Sequence, residues 1–95
     1  MAHGAIDGLL NDWADANRLQ VSTDYRDEEV RSLDLVSRKG KRYQIWLDAP
    51  RNGRVGVHVW NYKERRVDLD IAQTELIAAL DTVLSAAHQW MRDEK

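Results

Sequence analysis

Apolar residues recur at helical spacing at both ends of the chain. In the first segment they stand at Ile6, Leu9, Leu10 and Trp13. This spacing predicts an amphipathic helix that ends near Asn17 or Arg18. The last segment carries a longer apolar stripe: Leu76, Ile77, Leu80, Val83, Leu84, Ala87 and Met91, with Trp90 at its border. It predicts a second amphipathic helix with Thr74 or Asp70 as its N-cap, and we expect both stripes to pack against the core.

Between the helices the alternation has a period of two, which is typical of half-buried strands. Five such segments cover residues 20–25, 30–38, 41–48, 54–62 and 65–71. They are joined by short turn segments, so we expect an antiparallel meander of four or five strands, depending on whether the first segment pairs. No internal repeat or linker interrupts the chain, and residues 1–95 are therefore expected to form a single domain.

The loop at Arg51, Asn52 and Gly53 determines how the two central strands face each other. We expect a three-residue hairpin loop, a type I turn followed by Gly53 in the left-handed conformation. That loop keeps odd-numbered residues on one face, whereas a two-residue Asn-Gly turn would mix the faces. The odd-numbered face is almost wholly aliphatic: Leu33, Leu35, Tyr43, Ile45, Leu47, Val55, Val57, Val59, Val67, Leu69 and Ile71. We predict an α+β two-layer sandwich, ordered N-terminal helix, antiparallel meander of four to five strands, C-terminal helix, with both helices on this face.

The even-numbered positions form the other face of the sheet, which the same two helices cannot also cover. They include five candidate partner-binding residues: Gln44, Trp46, His58, Trp60 and Tyr62. Exposed aromatic side chains among polar groups often mark protein contact surfaces. Two other interpretations stay open, namely cross-strand packing that only stabilises the sheet and burial of this face in a symmetric dimer.

His58 is the residue of this face that invites a catalytic or metal-binding interpretation. A simple meander places it in one cross-strand row with Asp34, Trp46 and Asp70. Carboxylates on both sides would favour a charged imidazolium. A metal site needs three or four convergent ligands, and the sequence has no spaced His or Cys motif, so we expect neither metal nor cofactor. No nucleophile elbow or glycine-rich phosphate loop is present, which indicates a non-enzymatic protein.

Basic residues concentrate in two turns that a meander brings to the same end of the sheet. They are Arg38, Lys39, Lys41, Arg42, Lys63, Arg65 and Arg66. With Trp60 and Tyr62 alongside, this basic patch is a candidate site for the phosphates and bases of single-stranded nucleic acid. The formal net charge of −2 argues against a dedicated nucleic-acid-binding protein, so this is the less favoured alternative.

Composition is that of an ordinary globular domain. Of the 95 residues, 43% are hydrophobic and 32% are charged, and there is no cysteine to form disulfides or thiolate ligands. The N-terminal sequence lacks the basic and apolar regions of a signal peptide. No apolar run approaches the ~20 residues that span a bilayer. We therefore expect a cytoplasmic protein that does not enter membranes.

One segment resembles a known family. Residues 44–53, QIWLDAPRNG, resemble a strand segment of the frataxins, and the order helix, strands, helix is similar as well. The resemblance implies that Gln44 and Trp46 contact an iron–sulfur scaffold protein from the exposed sheet face. It also implies weak iron binding by acidic residues on the first helix and first strand. The residues in matching places are Asp12, Asp15, Asp24, Asp27, Glu28 and Glu29.

These observations give one leading hypothesis and several alternatives. We expect a small non-enzymatic binding or adaptor protein that uses the aromatic sheet face for a protein partner or for self-association. A frataxin-like accessory protein of iron–sulfur assembly, with iron as its ligand, is one alternative. Binding of single-stranded nucleic acid through the basic turns is another. An immunity-type or secretion-accessory role also fits a small two-layer protein.

Overall fold

Two helices and a four-stranded sheet make up the described part of the chain. The structure is a computed structural model that describes residues 4–21 and 31–94. Its elements are α1 (Gly4–Ala16), β1 (Arg31–Val36), β2 (Arg42–Leu47), β3 (Arg54–Trp60), β4 (Arg66–Ala72), a 3-10 turn (Gln73–Glu75) and α2 (Leu76–Arg92). The strands form one antiparallel sheet in the order β1-β2-β3-β4. The predicted α+β fold, a meander between two helices, is confirmed.

Most of the predicted first strand, 20–25, lies outside the described residues. Val21 is described, and it forms an isolated antiparallel bridge with Leu33 of β1. The acidic segment 24–29 also falls outside the described residues, and with it four of the acidic residues that the frataxin resemblance selects. The prediction of an additional edge strand is therefore supported only at Val21.

The helix boundaries follow the predicted ones closely, but the predicted caps of α2 are wrong. After α1, Arg18 adopts a left-handed φ of 58°, which ends the helix where the sequence predicts. At α2, Thr74 lies inside the preceding 3-10 turn and Asp70 lies in β4, and no side chain caps the helix. The chain instead passes directly from β4 into the turn, where the Gln73 N–H donates to the Gly53 carbonyl at 2.7 Å. No helix in residues 4–21 or 31–94 is long and apolar enough to cross a membrane.

Odd-numbered strand residues form the core, as the alternation predicts. The buried residues are Leu33, Leu35, Tyr43, Ile45, Leu47, Val55, Val57 and Val59 of the sheet, with Ile6, Leu10, Trp13 and Ala14 of α1 and Leu76, Ala79, Leu80, Val83, Leu84 and Ala87 of α2. Val67, Leu69 and Ile71 are half-buried because β4 is an edge strand. Leu9 and Ile77 belong to the predicted helical stripes but are exposed.

The β2–β3 hairpin closes with a two-residue turn, so the predicted three-residue loop is wrong. Arg51 and Arg54 exchange backbone hydrogen bonds of 2.9 Å in both directions. Between them, Asn52 and Gly53 have φ values of 53° and 77°. Positive φ at both central residues is the signature of a type I′ turn, for which Asn-Gly is a preferred sequence because both residues tolerate that conformation.

A β-bulge beside this turn keeps the core residues on one face. The Asp48 N–H donates to the Gly56 carbonyl at 3.0 Å, just before the turn. Ala49 and Pro50 then stand opposite the single residue Val55, which is the two-against-one arrangement of a bulge. Pro50 has no N–H, so it loses no ladder hydrogen bond at this irregular position. The alternation predicts the faces correctly although the turn type differs, because the bulge restores the parity.

The register between β1 and β2 differs from the predicted one by two residues. Asp34 lies opposite Gln44 instead of Trp46. The hairpin loop covers 38–40, and Gly40 at its last position has a φ of 80°. Glycine adopts this left-handed conformation without steric cost, whereas the predicted row would place a lysine there. The position of the glycine therefore sets the register.

β4 is shifted against β3 by the same amount. His58 lies opposite Asp68 instead of Asp70. The connecting turn begins at Asn61, whose side-chain oxygen accepts two backbone N–H groups of the turn at 2.9 and 3.1 Å. Asparagine favours turns because its side chain can hydrogen-bond the backbone a few residues further on. This local bonding starts the turn one residue earlier than the predicted row requires.

Candidate functional site

The sheet face turned away from the helices carries all five predicted partner-binding residues, and we call it the open face: Gln44, Trp46, His58, Trp60 and Tyr62. The first two lie on β2, the next two on β3, and Tyr62 is the second residue after β3. The β2–β3 register pairs Gln44 with Trp60 and Trp46 with His58, as predicted. The described helices pack against the opposite face of the sheet. Sequence parity therefore brings these five side chains together correctly.

The rings of the open face form one continuous row. His58 stacks on Trp46 with ring centroids 4.7 Å apart and planes inclined by 14°. Trp46 meets Trp60 edge to face at 6.2 Å, and Trp60 contacts Tyr62 at 5.0 Å. Such pairs add to stability beyond the area that they bury. Tyr62, at the end of the row, is 41% exposed.

Hydrogen bonds hold two of these rings in place. The Trp60 indole N–H donates to the Gln44 side-chain oxygen at 3.1 Å. The Tyr62 hydroxyl reaches across β2 and donates to an oxygen of Asp34 on β1 at 3.1 Å. The polar tips are thereby satisfied within the chain, while the rings form the apolar part of the surface. A surface whose side chains are already ordered loses less entropy when it binds a partner.

Two carboxylates flank the His58 ring, and they are not the predicted ones. Nε2 lies 2.8 Å from Asp48 and Nδ1 lies 2.6 Å from Asp68. The prediction names Asp34 and Asp70, which the two-residue shift of the outer strands moves away. A doubly protonated imidazolium can donate to both carboxylates, whereas the neutral ring can donate to only one. Both ring nitrogens of His58 therefore lie at hydrogen-bonding distance from a carboxylate.

The surroundings of Asp68 on this face shift its pKa. The hydrogen bond from His58 lowers the pKa of Asp68 below its ordinary value, and a second hydrogen bond from Arg66 lowers it further. Both interactions favour the ionised carboxylate, since each places a donor against it. Arg66 Nε lies 2.9 Å from Asp68. Polar contacts therefore link Arg66 and Asp68 of β4 to His58 of β3.

Gly56 makes the contact between Asp48 and His58 possible. A Cβ atom at this position would collide with the Asp48 carboxylate and lie 3.0 Å from His58 Nε2. A glycine inside a strand often marks such a close approach. It is the sequence signal that could have pointed to Asp48 as the partner of His58. Beside it lies an open cleft of about 650 Å³ that reaches Asp70.

Two arginines lie over the aromatic row. The Arg66 guanidinium lies 5.1 Å from the centre of the Trp46 ring, and the Arg42 guanidinium lies 6.0 Å from that of Tyr62. Both distances are in the range of cation–π interactions. Arginine, tryptophan and tyrosine are the residue types most enriched among the energetically important residues of protein interfaces. Both arginines are even-numbered members of the predicted basic patch, and the structure shows that they contact the rings of the open face.

The two basic turns meet at one end of the sheet, as predicted, but acidic residues share that end. Side chains of both turns line a cleft of about 620 Å³ together with the end of α2. Arg65 forms a 3.3 Å ion pair with Asp93 of the helix end, and Glu64 and Glu94 line the same cleft. The seven basic residues are therefore not a purely cationic surface, which weakens the electrostatic argument for nucleic acid.

The floor of this cleft is anchored by Tyr43. Its ring stacks on Trp90 at 6.4 Å, and its hydroxyl donates to Glu94 at 3.0 Å. Burial is the largest cause that raises the pKa of the Tyr43 hydroxyl above its ordinary value, and the nearby Glu94 carboxylate raises it further. Tyr43 is a core residue, so this end of the molecule is held together by a buried phenol.

Two acidic residues of the frataxin-like set are described, and both are exposed on α1. They are Asp12 and Asp15; Asp24, Asp27, Glu28 and Glu29 lie outside the described residues. Among residues 4–21 and 31–94, no group of three or more His, Asp or Glu side chains converges in a way that could hold a metal ion.

Comparison of the chain with protein-family models, curated proteins and solved structures found no match. The site is therefore interpreted from its own geometry. Its main features are a row of ordered rings, two arginines over that row, and carboxylates on both sides of His58.

Proposed function

We propose that this protein is a small non-enzymatic binding module that contacts a protein partner through the open face. The observation that carries the proposal is the row Trp46, Trp60 and Tyr62, which lies on the sheet face opposite the helices. A two-layer fold needs only one buried sheet face, so these rings are not required for the core.

The residue types of the open face suit protein recognition. Large aromatic rings provide contact area at a low cost in conformational entropy, and arginine is enriched with them among the energetically important residues of interfaces. Arg42 and Arg66 add charges that a partner can match, and Gln44 and Asp34 already satisfy the polar tips of the rings. A partner that covers the face would therefore leave few buried polar groups without hydrogen bonds, which would otherwise oppose binding.

The proposal is tested by capture of partners with the wild-type chain and two variants. Trp46→Ala and Trp60→Ala are expected to lose a specific partner that the wild type retains. Ile77→Ala is the matched control, since Ile77 is an apolar residue that is 39% exposed on α2, in the other layer. Partner binding that survives both tryptophan substitutions, or that is lost only with Ile77→Ala, would contradict the proposal.

A frataxin-like role is a second candidate, favoured by one observation. Gln44 and Trp46, which the resemblance assigns to a scaffold protein, share the open face. This role predicts weak iron binding that is lost when Asp12 and Asp15 are replaced by asparagine. NMR spectra recorded with added iron test it directly: line broadening around these residues is expected, and spectra unchanged by iron would exclude this role.

Nucleic-acid binding is a third candidate, which rests on Trp60 and Tyr62 beside Arg42 and Arg66. Bases stack on aromatic rings, and phosphates pair with arginine. This role predicts binding of single strands that weakens steeply as salt is added, because counterions are released from the phosphates. A fluorescence-anisotropy titration at low salt that shows no binding would exclude it.

A further inference from the structure

We propose that the partner covering the open face is a second copy of this chain, packed with its strands antiparallel to those of the first. This inference rests on the proposed function and names the partner. It is carried by a charge asymmetry along the strands, which becomes complementary when the face is rotated onto itself.

The open face is basic at one end of the strands and acidic at the other. Arg42 and Arg66 lie beside the turns 37–41 and 61–65. The acidic residues Asp48, Asp68 and Asp70 lie toward the other end, where Arg54 pairs with Asp70 at 3.1 Å. Arg42 is weakly engaged within its own chain, since it lies 3.9 Å from Asp34 and its side chain is 66% exposed.

A two-fold axis that lies in the plane of the face, perpendicular to the strands, pairs these opposite ends. It places β2 over β2 of the second copy in reverse, so that Arg42 faces the partner's Asp48 and Trp46 faces the partner's Gln44. On β4, Arg66 faces the partner's Asp68. A two-fold axis parallel to the strands would instead bring the basic ends together. Like charges across an interface disfavour that arrangement.

Aromatic contact accompanies the same rotation. On β3 it places Trp60 over the partner's His58, so the aromatic rows of the two copies meet. Tyr62, at the end of each row, is 41% exposed, and the bond from its hydroxyl to Asp34 holds its ring against its own sheet. Each dimer would contain the Trp60 contact twice.

Charge reversal followed by mixing tests the arrangement. By symmetry, Arg42→Glu alone creates two like-charge contacts with Asp48, and Asp48→Lys alone creates two with Arg42. The dimer dissociation constant of each variant is therefore expected to be at least about tenfold higher than that of the wild type. In the mixed dimer both contacts join opposite charges, so mixing the two variants should restore dimers. Sedimentation velocity with one labelled variant measures this exchange.

The wild-type chain provides the first measurement and the control for folding. Its mass by light scattering should rise from 11.0 kDa toward twice that value as the chain concentration is raised. A mass that stays monomeric up to about 100 µM, where micromolar dimers would form, overturns the inference. A wild-type dimer whose stability Arg42→Glu leaves unchanged would also overturn the inference. The same holds if Arg42→Glu and Asp48→Lys both have native circular dichroism but form no dimers when mixed.

Failure of this inference is distinguishable from failure of the proposed function. A monomeric chain that still loses a captured partner in Trp46→Ala and Trp60→Ala would retain the open face as a binding surface and exclude only the second copy. A chain that dimerises but loses no dimer on either tryptophan substitution would place the self-contact elsewhere and exclude the second copy at the open face, while the partner-capture experiment would still test the proposed function.

Discussion

Replacing two neighbouring residues of β2 by alanine, one at a time, tests which side of the sheet is the core. Ile45 is fully buried beneath the helices, with 0% of its surface exposed. Trp46, the next residue, points to the open face and is half-buried among other rings. The two substitutions therefore remove side chains from opposite faces of the same strand.

The structure gives a different magnitude for each substitution. Ile45→Ala removes about three methylene equivalents at ~0.8 kcal/mol each and leaves a cavity, so the expected loss is about 3–4 kcal/mol. Trp46→Ala removes the stacking on His58 and the cation–π contact with Arg66. These are worth about 0.5–1.5 and about 0.5–1 kcal/mol respectively and add to the loss of the area that the ring buries, so the expected loss exceeds about 1 kcal/mol.

Thermal and urea unfolding followed by circular dichroism measure both losses. For a domain of this size, the melting temperature should fall by about 12 °C or more for Ile45→Ala and by about 4 °C or more for Trp46→Ala. A fall of less than about 4 °C for Ile45→Ala would mean that the odd-numbered face of the sheet is not the core. The assignment of the open face would then be refuted.

Three further predictions follow from the packing and from the shifted pKa values. Leu80→Ala, at a fully buried position of α2, should lower the free energy of unfolding in urea by about 2–5 kcal/mol. Ile77→Ala, at an exposed position of the same helix, should lower it by less than about 1 kcal/mol. Similar losses would contradict the orientation of α2 on the sheet. Since the pKa of Tyr43 is raised above 10.0, its contribution to stability is complete below that pH and is lost as the pH rises through the folded-state value. Tyr43→Phe should therefore flatten the alkaline decline in unfolding free energy, and an unchanged decline would contradict the role of the Tyr43 hydroxyl. Since the pKa of Asp68 is lowered below 3.8, its contribution to stability is present above that pH and is lost as the pH falls through the folded-state value. The unfolding free energies of the wild type and Asp68→Asn should therefore differ at neutral pH and converge in acid. Plots of unfolding free energy against pH that stay parallel would contradict the pairing with His58.

The faces of the sheet could be predicted from sequence because burial on one face imposes a strict alternation. Every odd-numbered residue from Tyr43 to Val59 within β2 and β3 is buried. The prediction survives even the wrong turn at Asn52 and Gly53, because the bulge at Ala49 and Pro50 restores the parity. Core burial is a collective constraint on many residues, so a single local error does not change it.

The contacts of His58 could not be predicted, because they depend on register rather than on parity. A shift of two residues leaves every side chain on its face but changes its neighbours across the strands. Local features fix that shift: the left-handed Gly40 in one hairpin and the Asn61 side chain in another. Sequence alternation carries no information about them. Asp68 consequently emerges as a partner of His58 only from the structure, whereas Gly56 is a sequence signal for the contact with Asp48.

Hydroxyl-radical footprinting of the tryptophans tests most directly whether the open face is the contact surface. Mass spectrometry reads Trp46 and Trp60 of the open face, with Trp13 of the core and Trp90 of the opposite layer as internal references. In the free chain at about 0.1 µM, well below a micromolar dissociation constant, the open-face rings should oxidise faster than Trp13, which is 5% exposed. On assembly, with a captured partner or with itself, Trp46 and Trp60 should become protected while Trp90 keeps its rate. Protection of Trp90 with no change at Trp46 and Trp60 would contradict the account.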